Sequence, residues 1–461
     1  MKKYIFIIAI LSIIIYANSI PGRFIKTDDT DMISVQRSGK SILSYRGLQE
    51  GVLDICYKIG GGNYRTFHIN SIMFHTINSV LVFYFLLLFF KPEASFWGAL
   101  IFASHPIHTE AVSWISGGNY VYVTTLLLVI FLLYQRKKLY IFSLVLFGIA
   151  LTGNWTAVLF PGMIILYDFT YERLKKNWKR WLPFLLITLG YVLFRGGMIN
   201  DRVALLQITA NVRGFTNPIT NMVFSIFRHL KLLLWPMRLS FYHDYIQITP
   251  ALQTIEIVVL MVIVFISASI YKKAKPIFFA MGIYFLFLLP TYSPVLISWA
   301  IAERYLYIPS IGFCIVIAYL YDRYACKAKT VFIVSLVLLT AFYSIRTIYR
   351  NEDWRNEPAL YLATVKASPR SPKAHNNLGG VYIRMGNIKK AIREFAIAVW
   401  LNPRYYDAYY NLGTTYKKVG DMERAVEYYL KAYQVNPQRK EAREALEGLR
   451  NNEKKRKKVD K

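Results

Sequence analysis

The stretch Ile72–Phe90 reads IMFHTINSVLVFYFLLLFF, and none of its nineteen residues is Asp, Glu, Lys or Arg. Blocks of the same kind recur at Val121–Tyr134 and Val331–Tyr343. A bilayer core about 30 Å thick is crossed by roughly 20 apolar residues in an α-helix, which satisfies every backbone polar group internally. These blocks therefore predict an integral membrane protein built from transmembrane helices.

The composition of the whole chain supports this prediction. Of its 461 residues, 55% are hydrophobic and 18% are charged, and the mean hydropathy is +0.31. A soluble protein of this length would expose too much apolar surface at these values. The chain is long enough for a membrane domain together with a smaller soluble domain.

The net charge of +29 arises from 56 Lys and Arg against 27 Asp and Glu. Many of these cations lie in short connectors between apolar blocks, at Gln135–Lys138, Glu172–Arg180, Tyr271–Lys275 and Asp322–Lys329. Basic connectors are retained on the cytoplasmic side of a membrane. The basic run Lys454–Lys458 has no interleaved aromatic residue, so we interpret it as solvated or lipid-contacting. Nucleic-acid binding is not predicted.

The cysteines add no constraint on the fold. Cys56, Cys314 and Cys326 fall in separate segments and form no CxxC motif. The sequence therefore predicts neither a disulfide framework nor a zinc–cysteine site.

With the basic connectors inside, about eleven transmembrane spans are predicted. They lie near residues 4–20, 68–90, 94–115, 119–134, 139–152, 154–170, 181–195, 253–271, 276–291, 308–322 and 330–346. Met1–Ser19 has the Lys-Lys start and small-residue end of a signal peptide, but we favour an uncleaved first span. The segment Asn217–Trp235 is apolar but carries Arg228, His229 and Lys231. Because these groups are costly to bury in hydrocarbon, we predict a helix at the outer membrane surface.

This topology puts several connections and the C-terminal domain on the outer side. The outer connections are residues 21–67, 116–118, 153, 196–252 and 292–307. The first outer loop carries seven basic residues, which argues against its outer location. Long loops follow the charge rule poorly, so we keep this arrangement.

The C-terminal part of the sequence repeats with a fixed period. Asn377-Leu378-Gly379 recurs 34 residues later as Asn411-Leu412-Gly413. The same shift relates six further pairs, namely Tyr382 and Tyr416, Gly386 and Gly420, Ala391 and Ala425, Phe395 and Tyr429, Ala398 and Ala432, and Pro403 and Pro437. This period, with small residues where paired helices cross, is typical of tetratricopeptide (TPR) repeats.

We therefore predict an all-α protein with three parts. A multi-pass membrane domain covers residues 1–350, a TPR domain covers 351–450, and a basic tail covers 451–461. The TPR domain has two clear repeats, 371–404 and 405–438. A degenerate half repeat at Glu357–Ser368 precedes them, and a capping helix at Glu441–Leu449 follows.

Acids and histidines are scarce in the spans, so their positions carry information. Candidates near the outer ends of the spans are the acid pair Asp28 and Asp29, then His105, His108 and Glu110, and finally Glu303, Arg304 and Tyr305. Two candidates lie in outer loops, Arg46 and Asp244, the latter between His243 and Tyr245. Four polar residues share one helical face of the second span and form a histidine face, His68, Ser71, His75 and Asn78. Costly groups from distant segments that meet at one membrane face usually mark a site.

Each group also has a structural interpretation. The acid pair is typical of a helix cap in a solvated loop. We favour packing contacts between spans for the histidine face. Glu303 and Arg304 are compatible with a local charge pair. His105, His108 and Glu110 resemble a metal cluster without the spacing of HExxH, so a divalent metal stays open.

At these residues the sequence resembles the transmembrane-and-TPR O-mannosyltransferases, the TMTC family and its prokaryotic relatives, within the GT-C class of glycosyltransferases. The resemblance covers nearly the whole chain. It rests on five stretches before the Asn-Leu-Gly repeats, namely Phe24–Asp29, Tyr45–Leu48, His68–His75, His105–Gly117 and Ala302–Gly312. The blocks HPIHTEAV and AERYLYIPS are specific, whereas a double Asp alone would be weak.

The resemblance implies a membrane enzyme of the plasma membrane that transfers a hexose, with mannose expected. The donor is a polyprenyl-phosphate-linked sugar, and the acceptor is a Ser/Thr hydroxyl of a protein on the extracytoplasmic side. No further cofactor is certain. Such a donor places its phosphate at the membrane interface, where cations hold it. TPR grooves bind extended peptides, so the repeats would recruit the protein acceptor or a partner.

The resemblance also implies roles for the candidate residues. A carboxylate must take the proton from the acceptor hydroxyl, and we expect Asp29 or its neighbour Asp28 to do so. Glu110 would orient the base or the acceptor. Positive groups stabilise the phosphate that leaves, which implies contacts from Arg304, Arg46 and His105. The other candidates would line the donor and acceptor site, namely His75, His108, Asp244, Glu303 and Tyr305.

Two other function classes stay open. The chain could be a membrane-anchored TPR scaffold for an envelope complex, with structural acids. It could also be a GT-C or ligase-type enzyme that glycosylates lipid or polysaccharide. Ligases with TPR tails use a late outer loop rich in Arg and His, whereas the acids here lie in the first outer loop. A transporter is not favoured, because no repeated pair of broken helices is evident.

Overall fold

The computed structural model describes residues 1–25, 29, 47–136, 139–196, 218–243, 250–292 and 301–459. The chain forms two compact units. The membrane unit consists of Met1–Leu239 and Ile248–Asn356, and the repeat unit consists of Ser240–Gln247 and Glu357–Lys461. Across the described ranges the regular secondary structure is helical, which confirms the all-α fold class.

Thirteen α-helices lie in the described part of the membrane unit. They are α1 (Lys2–Tyr16), α2 (Gly47–Gly60), α3 (Tyr64–Leu86), α4 (Pro92–Ser104), α5 (Thr109–Ser113), α6 (Asn119–Gln135), α7 (Tyr140–Leu151), α8 (Phe160–Thr170), α9 (Leu174–Phe194), α10 (Pro218–Leu234), α11 (Pro250–Ile270), α12 (Lys275–Leu288) and α13 (Pro309–Asp353). Several begin with proline at the first or second position, where its missing N–H costs nothing.

Some of these helices are suited to a bilayer by length and composition. Among the described residues, four helical stretches are long and apolar enough to cross a membrane, namely Lys2–Ser19, Tyr64–Leu86, Ile115–Gln135 and Pro309–Asp353. Shorter apolar helical stretches fall where other spans are predicted, at Tyr140–Leu151, Trp155–Thr170, Thr254–Ile270 and Lys275–Thr291. The multi-pass membrane architecture is confirmed, whereas the number of eleven spans stays a prediction.

The 45-residue helix α13 is broken at one residue. Ala328 has φ −153° and ψ 52°, which is not helical. One arm approaches α4 through Cys314, whose carbonyl oxygen faces Gly98, and the other arm through Thr347, which donates a hydrogen bond to the Ser104 carbonyl. Lys329 at the break pairs with Glu93 at the other end of α4. The two arms therefore form an antiparallel hairpin, as the predicted spans 308–322 and 330–346 require.

Helix α10 occupies the segment predicted to lie at the membrane surface. Its charged residues are in different surroundings: Lys231 is exposed, Arg228 is half-buried, and His229 is completely buried within the protein. Burial lowers the pKa of His229 to about 4, so the ring is neutral at physiological pH. His229 is thus accommodated by protein contacts with Ser225 and not by hydrocarbon.

The repeat unit has the helix pairs that the period predicts. Its helices are α14 (Glu357–Ala367), α15 (Pro372–Arg384), α16 (Ile388–Leu401), α17 (Tyr406–Val419), α18 (Met422–Val435) and α19 (Lys440–Val459). A Cβ built on Gly379 would lie 2.5 Å from Phe395. One built on Gly413, 34 residues later, would lie 2.7 Å from Tyr429, the counterpart of that phenylalanine. The paired helices therefore cross at the small residues of the repeat.

Two features of the repeat unit differ from the sequence analysis. Helix α19 continues to Val459, beyond the predicted end at Leu449, because Lys, Arg and Glu favour helix. The segment Ser240–Gln247 also belongs to this unit, although it lies in a predicted outer connection of the membrane domain. Tyr242 accepts a hydrogen bond from the Asn377 amide at 3.0 Å. Such distant pairing leaves no periodic signal in the sequence.

Candidate functional site

Three short helical turns follow α4 and carry the first candidate residues. They are Pro106–His108, α5 and Ile115–Gly118. His105 begins the first turn. Its Nδ1 accepts a hydrogen bond from the backbone N–H of Ile107 at 3.1 Å, and its Nε2 lies 2.9 Å from the carbonyl oxygen of Leu233. Both ring nitrogens of His105 therefore contact the protein backbone and hold this turn in place.

Glu110, fully buried in α5, contacts a residue 194 positions later in the chain. Its Oε2 accepts a hydrogen bond from the backbone N–H of Arg304 at 2.9 Å, and its Oε1 pairs with the guanidinium group of Arg304. This guanidinium lies 5.5 Å from the ring centre of Trp114 and 5.0 Å from that of Tyr305. Burial alone would lower the pKa of Arg304, but the Glu110 carboxylate raises it above its ordinary value. The arginine therefore stays charged and has a fixed orientation.

Glu303 pairs with a different residue. Its carboxylate oxygens lie 3.1 and 3.3 Å from the guanidinium of Arg350 on α13, and both side chains are fully buried. Arg350 also pairs with Asp353 at 2.9 Å and lies over the ring of Trp354, which stacks on Trp114. Glu303 and Arg304, which are adjacent in the chain, thus pair with different residues, Arg350 and Glu110. The alternative of a local charge pair is wrong.

Asp29 is also buried, with 1% of its surface exposed. Its Oδ1 accepts hydrogen bonds from the backbone N–H and the hydroxyl of Ser116, at 3.0 and 2.6 Å, and its Oδ2 accepts one from the backbone N–H of Ile25 at 2.9 Å. The next residue, Gly117, packs so closely on the backbone of Glu110 that a Cβ would overlap it. Asp29 and the Glu110 corner therefore meet at one glycine turn, and Asp29 is not a cap in a solvated loop.

The histidine face of α3 points into the membrane unit. Its four members, His68, Ser71, His75 and Asn78, are all buried. The Nδ1 of His75 lies 2.7 Å from the hydroxyl of Tyr307, and its Nε2 lies 3.3 Å from the carbonyl oxygen of Ala103. These contacts match the interpretation of inter-helix packing.

His108 lies close to this face. Its Nε2 is 2.9 Å from the hydroxyl of Ser310, and its ring centre is 5.4 Å from that of His75. The structure thus brings His75 and His108 together next to Tyr307 and Ser310, which follow the turn that contains Glu303, Arg304 and Tyr305. They pack the hairpin α13 against α3 and α4.

The metal alternative does not match the donor groups of the described residues. No three His, Cys, Asp or Glu side chains within the described ranges converge as metal ligands do. The Glu110 carboxylate is used by Arg304, and both nitrogens of His105 contact the protein chain.

Three candidates, Asp28, Arg46 and Asp244, lie outside the described residues. The structure adds two residues that the sequence analysis did not select, Ser116 and Arg350. Ser116 lies within a stretch that carries the resemblance, but its role depends on Asp29, 87 residues earlier. Arg350 follows the last predicted span, and no local pattern pairs it with Glu303.

Comparison with known proteins finds a family match for the repeats and relatives that cover most of the chain. The tetratricopeptide repeat family model matches residues 406–439. A protein O-mannosyl-transferase of Caenorhabditis elegans is 26% identical over 383 residues, which is 79% of this chain and 55% of that protein. The human protein O-mannosyl-transferase TMTC3 is 26% identical over 416 residues, 79% of this chain and 45% of that protein. The Drosophila melanogaster protein O-mannosyl-transferase Tmtc2 is 39% identical over 98 residues.

These relatives confirm the resemblance stated from the motifs. The chain is homologous to proteins of the TMTC type over about four fifths of its length. It spans about half the length of the first two of these relatives.

Proposed function

We propose that this chain is a membrane glycosyltransferase that transfers mannose from a polyprenyl-phosphate carrier to Ser or Thr hydroxyls of a protein on the extracytoplasmic side. One observation carries the proposal: the Glu110–Arg304 pair and the buried Asp29 meet at the Ser116–Gly117 turn. A fixed cation and a carboxylate at one end of a membrane bundle are the groups that such a transfer needs. The names of the relatives support the same reaction class.

Arg304 is the group that we assign to the leaving phosphate. When the bond between the anomeric carbon and the phosphate oxygen breaks, negative charge grows on the phosphate, and a nearby cation stabilises it. Glu110 binds both the backbone and the guanidinium of Arg304, so it orients this cation. Arg46, from the same loop as the acid pair, is proposed as a second phosphate contact.

Asp28 is the better candidate for the base. Asp29 is buried, and both of its carboxylate oxygens accept hydrogen bonds, from Ile25 and from Ser116. We assign it the role of holding the first loop at the Ser116 turn. Asp28 would take the proton from the acceptor hydroxyl while the hydroxyl oxygen bonds to the anomeric carbon and the carrier phosphate leaves.

The TPR repeats are proposed to recruit the protein acceptor. Repeat arrays of this kind bind extended peptides, and a second binding contact raises the local concentration of acceptor at the membrane. The acceptor would thus be a protein of the cell envelope. The outer location of the repeats follows from the same assignment of basic connectors to the cytoplasmic side.

The test is mannose transfer by the purified full-length protein in lipid nanodiscs, with radiolabelled polyprenyl-phosphate mannose and envelope proteins as acceptors. Arg304→Gln and Asp28→Asn should each lower kcat/KM by about 100-fold or more, because each removes a group that acts in the transition state. Glu93→Gln is the matched control, since this exposed acid lies at the other end of α4. It should retain full activity.

Three results would redirect the proposal. If the native protein transfers no mannose to lipid, polysaccharide or protein, the anchored scaffold is favoured. If the Asp28→Asn and Arg304→Gln variants retain full transfer, the two residues are structural and their assignment to the reaction is overturned. If labelled mannose appears only in lipid or polysaccharide, the chain is a transferase with a different acceptor. Mass spectrometry of envelope proteins from a deletion strain distinguishes these cases, because only a protein acceptor loses hexose from Ser and Thr.

A further inference from the structure

An apolar groove lies on the membrane unit, away from the Arg304 site. It has a volume of about 320 Å³. Its lining residues come from α8, α9 and α12, namely Gly162, Ile165, Leu166, Phe169, Leu174, Gly282 and Leu286. The two glycines make the groove: a Cβ on Gly162 would lie 3.1 Å from Leu286, and one on Gly282 would overlap Leu166. The lining is suited to a hydrocarbon chain and offers no polar partner to a sugar.

The groove extends along α8. Its lining residues on this helix run from Phe169 to Gly162, and those on α12 are Gly282 and Leu286. The seven helical steps on α8 correspond to about 10 Å, at 1.5 Å for each residue. An acyl chain that enters beside Leu174 and Phe169 would therefore follow α8 through part of one leaflet, which contributes about 15 Å of hydrocarbon.

Basic residues surround the entrance of the groove. Arg173 and Lys175 flank the lining residue Leu174 in sequence, and Lys272 and Lys273 lie in the turn before α12; all four are exposed. Tyr271, in the same turn, stacks on the lining residue Phe169 with ring centres 5.5 Å apart. This stacking places the turn that contains Lys272 and Lys273 near the entrance.

The cations outnumber the acids near this entrance. Glu172 pairs with Lys275 at 2.7 Å and also interacts electrostatically with Lys272. Asp168 is buried and accepts hydrogen bonds from the Tyr134 hydroxyl at 2.6 Å and the Asn177 amide at 2.8 Å. It also interacts electrostatically with Arg180 and Arg173. The entrance therefore keeps an excess of exposed positive charge beside an apolar slot.

We propose that this groove binds an anionic glycerophospholipid, with one acyl chain along Gly162 and Gly282 and the phosphate among Arg173, Lys175, Lys272 and Lys273. Charge complementarity selects this occupant over a zwitterionic lipid or a second protein helix, since neither would satisfy the cations. The site is distinct from the proposed reaction site. Leu288, at the far end of α12, packs with Leu306 of the Arg304 turn.

The test is lipid retention by the full-length protein, measured by native mass spectrometry in detergent. The probes are 1-palmitoyl-2-oleoyl phosphatidylglycerol and the matching phosphatidylcholine. Lys175→Gln/Lys272→Gln/Lys273→Gln should weaken phosphatidylglycerol binding by about 100-fold, because each lysine near a lipid phosphate contributes about fivefold. Ile165→Trp, which fills the groove, should abolish binding of the same lipid.

The matched control is Lys389→Gln/Lys417→Gln/Lys418→Gln, three exposed lysines of the repeat unit. It removes the same charge and should retain phosphatidylglycerol as the native protein does. The proposal is overturned if this control loses the lipid equally, if phosphatidylcholine binds as tightly, or if Ile165→Trp binds normally. Displacement of the lipid by inorganic phosphate alone would also overturn it, because the acyl chain would then contribute nothing. Should the triple variant fail to fold, Lys273→Glu gives the same comparison with one surface change.

Discussion

At the scale of single residues, Asp29 and Ser116 join the first loop to the turn Ile115–Gly118, which packs on the backbone of Glu110. The hydroxyl of Ser116 lies 2.6 Å from the buried carboxylate, and its backbone N–H lies 3.0 Å away. Ser116→Ala removes the hydroxyl and keeps the backbone contact. Hydrogen bonds to charged groups contribute about 1.5–3 kcal/mol, so we expect a loss of stability of that size and reduced mannose transfer.

A double-mutant cycle tests whether the two residues act as one unit. Thermal unfolding of Ser116→Ala, Asp29→Asn and the double variant should give non-additive losses. Ser269→Ala is the matched control, because this exposed hydroxyl donates a hydrogen bond within its own helix, to the Phe265 carbonyl. Additive losses would show that the serine and the aspartate are independent.

The buried ion pair Glu303–Arg350 is a second contact between single residues that can be tested. Arg350→Met leaves the Glu303 carboxylate buried without its cation, and such changes cost about 3–5 kcal/mol. Glu303→Leu/Arg350→Met removes both charges and should recover most of this loss, since apolar pairs often replace buried ion pairs without penalty. Unfolding measurements with both variants check this expectation.

The same variants separate stability from positioning. Glu303 precedes Arg304 in the turn, so loss of the buried pair should shift the Arg304 guanidinium even when the fold is restored. We expect the stable double variant to keep a low kcat for mannose transfer. A double variant with native stability and native kcat would indicate that the pair only stabilises the bundle.

At the scale of helices, close contacts depend on glycines at particular positions. A Cβ on Gly312 of α13 would lie 2.5 Å from the backbone oxygen of Ala280 on α12. Gly312→Ala should therefore separate these helices and lower the melting temperature. Gly148→Ala is the matched control, because a Cβ there has no described atom within 4 Å. Alanine favours helix over glycine, so the control should be neutral or stabilising, by up to about 1 kcal/mol.

The positions of the helices could be predicted from the sequence because they depend on the local spacing of residues. The period of 34 residues predicts that the paired helices cross at small residues, and Gly379 and Gly413 do lie against the neighbouring helix, at Phe395 and Tyr429. The hairpin at Ala328 follows from two apolar blocks around the basic connector Asp322–Lys329. In both cases the information lies within a few turns of helix.

The side-chain partners of the site residues could not be predicted from local spacing. The sequence analysis grouped Glu110, Glu303 and Arg304 at one membrane face, but it did not assign Glu303 to Arg350. It also expected His105 to contact phosphate, whereas both its ring nitrogens hold the protein chain. Pairing across hundreds of residues depends on packing geometry, which hydropathy and spacing do not encode.

At the scale of the whole molecule, charge and site lie at opposite ends of the same helices. Helix α4 begins at the Glu93–Lys329 ion pair and ends beside His105. Helix α12 begins at Lys275 and ends beside the Arg304 turn. If the basic residues lie on the cytoplasmic side, as the positive-inside rule predicts, the site lies at the outer side. This sidedness is a prediction that cysteine chemistry can test.

Cys326 is an exposed free thiol next to the break of α13, whereas Cys56 and Cys314 are buried. We expect a membrane-impermeant maleimide to label the native protein only after right-side-out vesicles are permeabilised, and Cys326→Ser to abolish this labelling. Lys389→Cys in the Cys326→Ser background puts one exposed thiol on the repeat unit. Because the repeats are assigned to the outer side, this variant should react without permeabilisation. Labelling of Cys326 in sealed vesicles would invert the topology, and would place the Arg304 turn in the cytoplasm, away from an outward-facing donor.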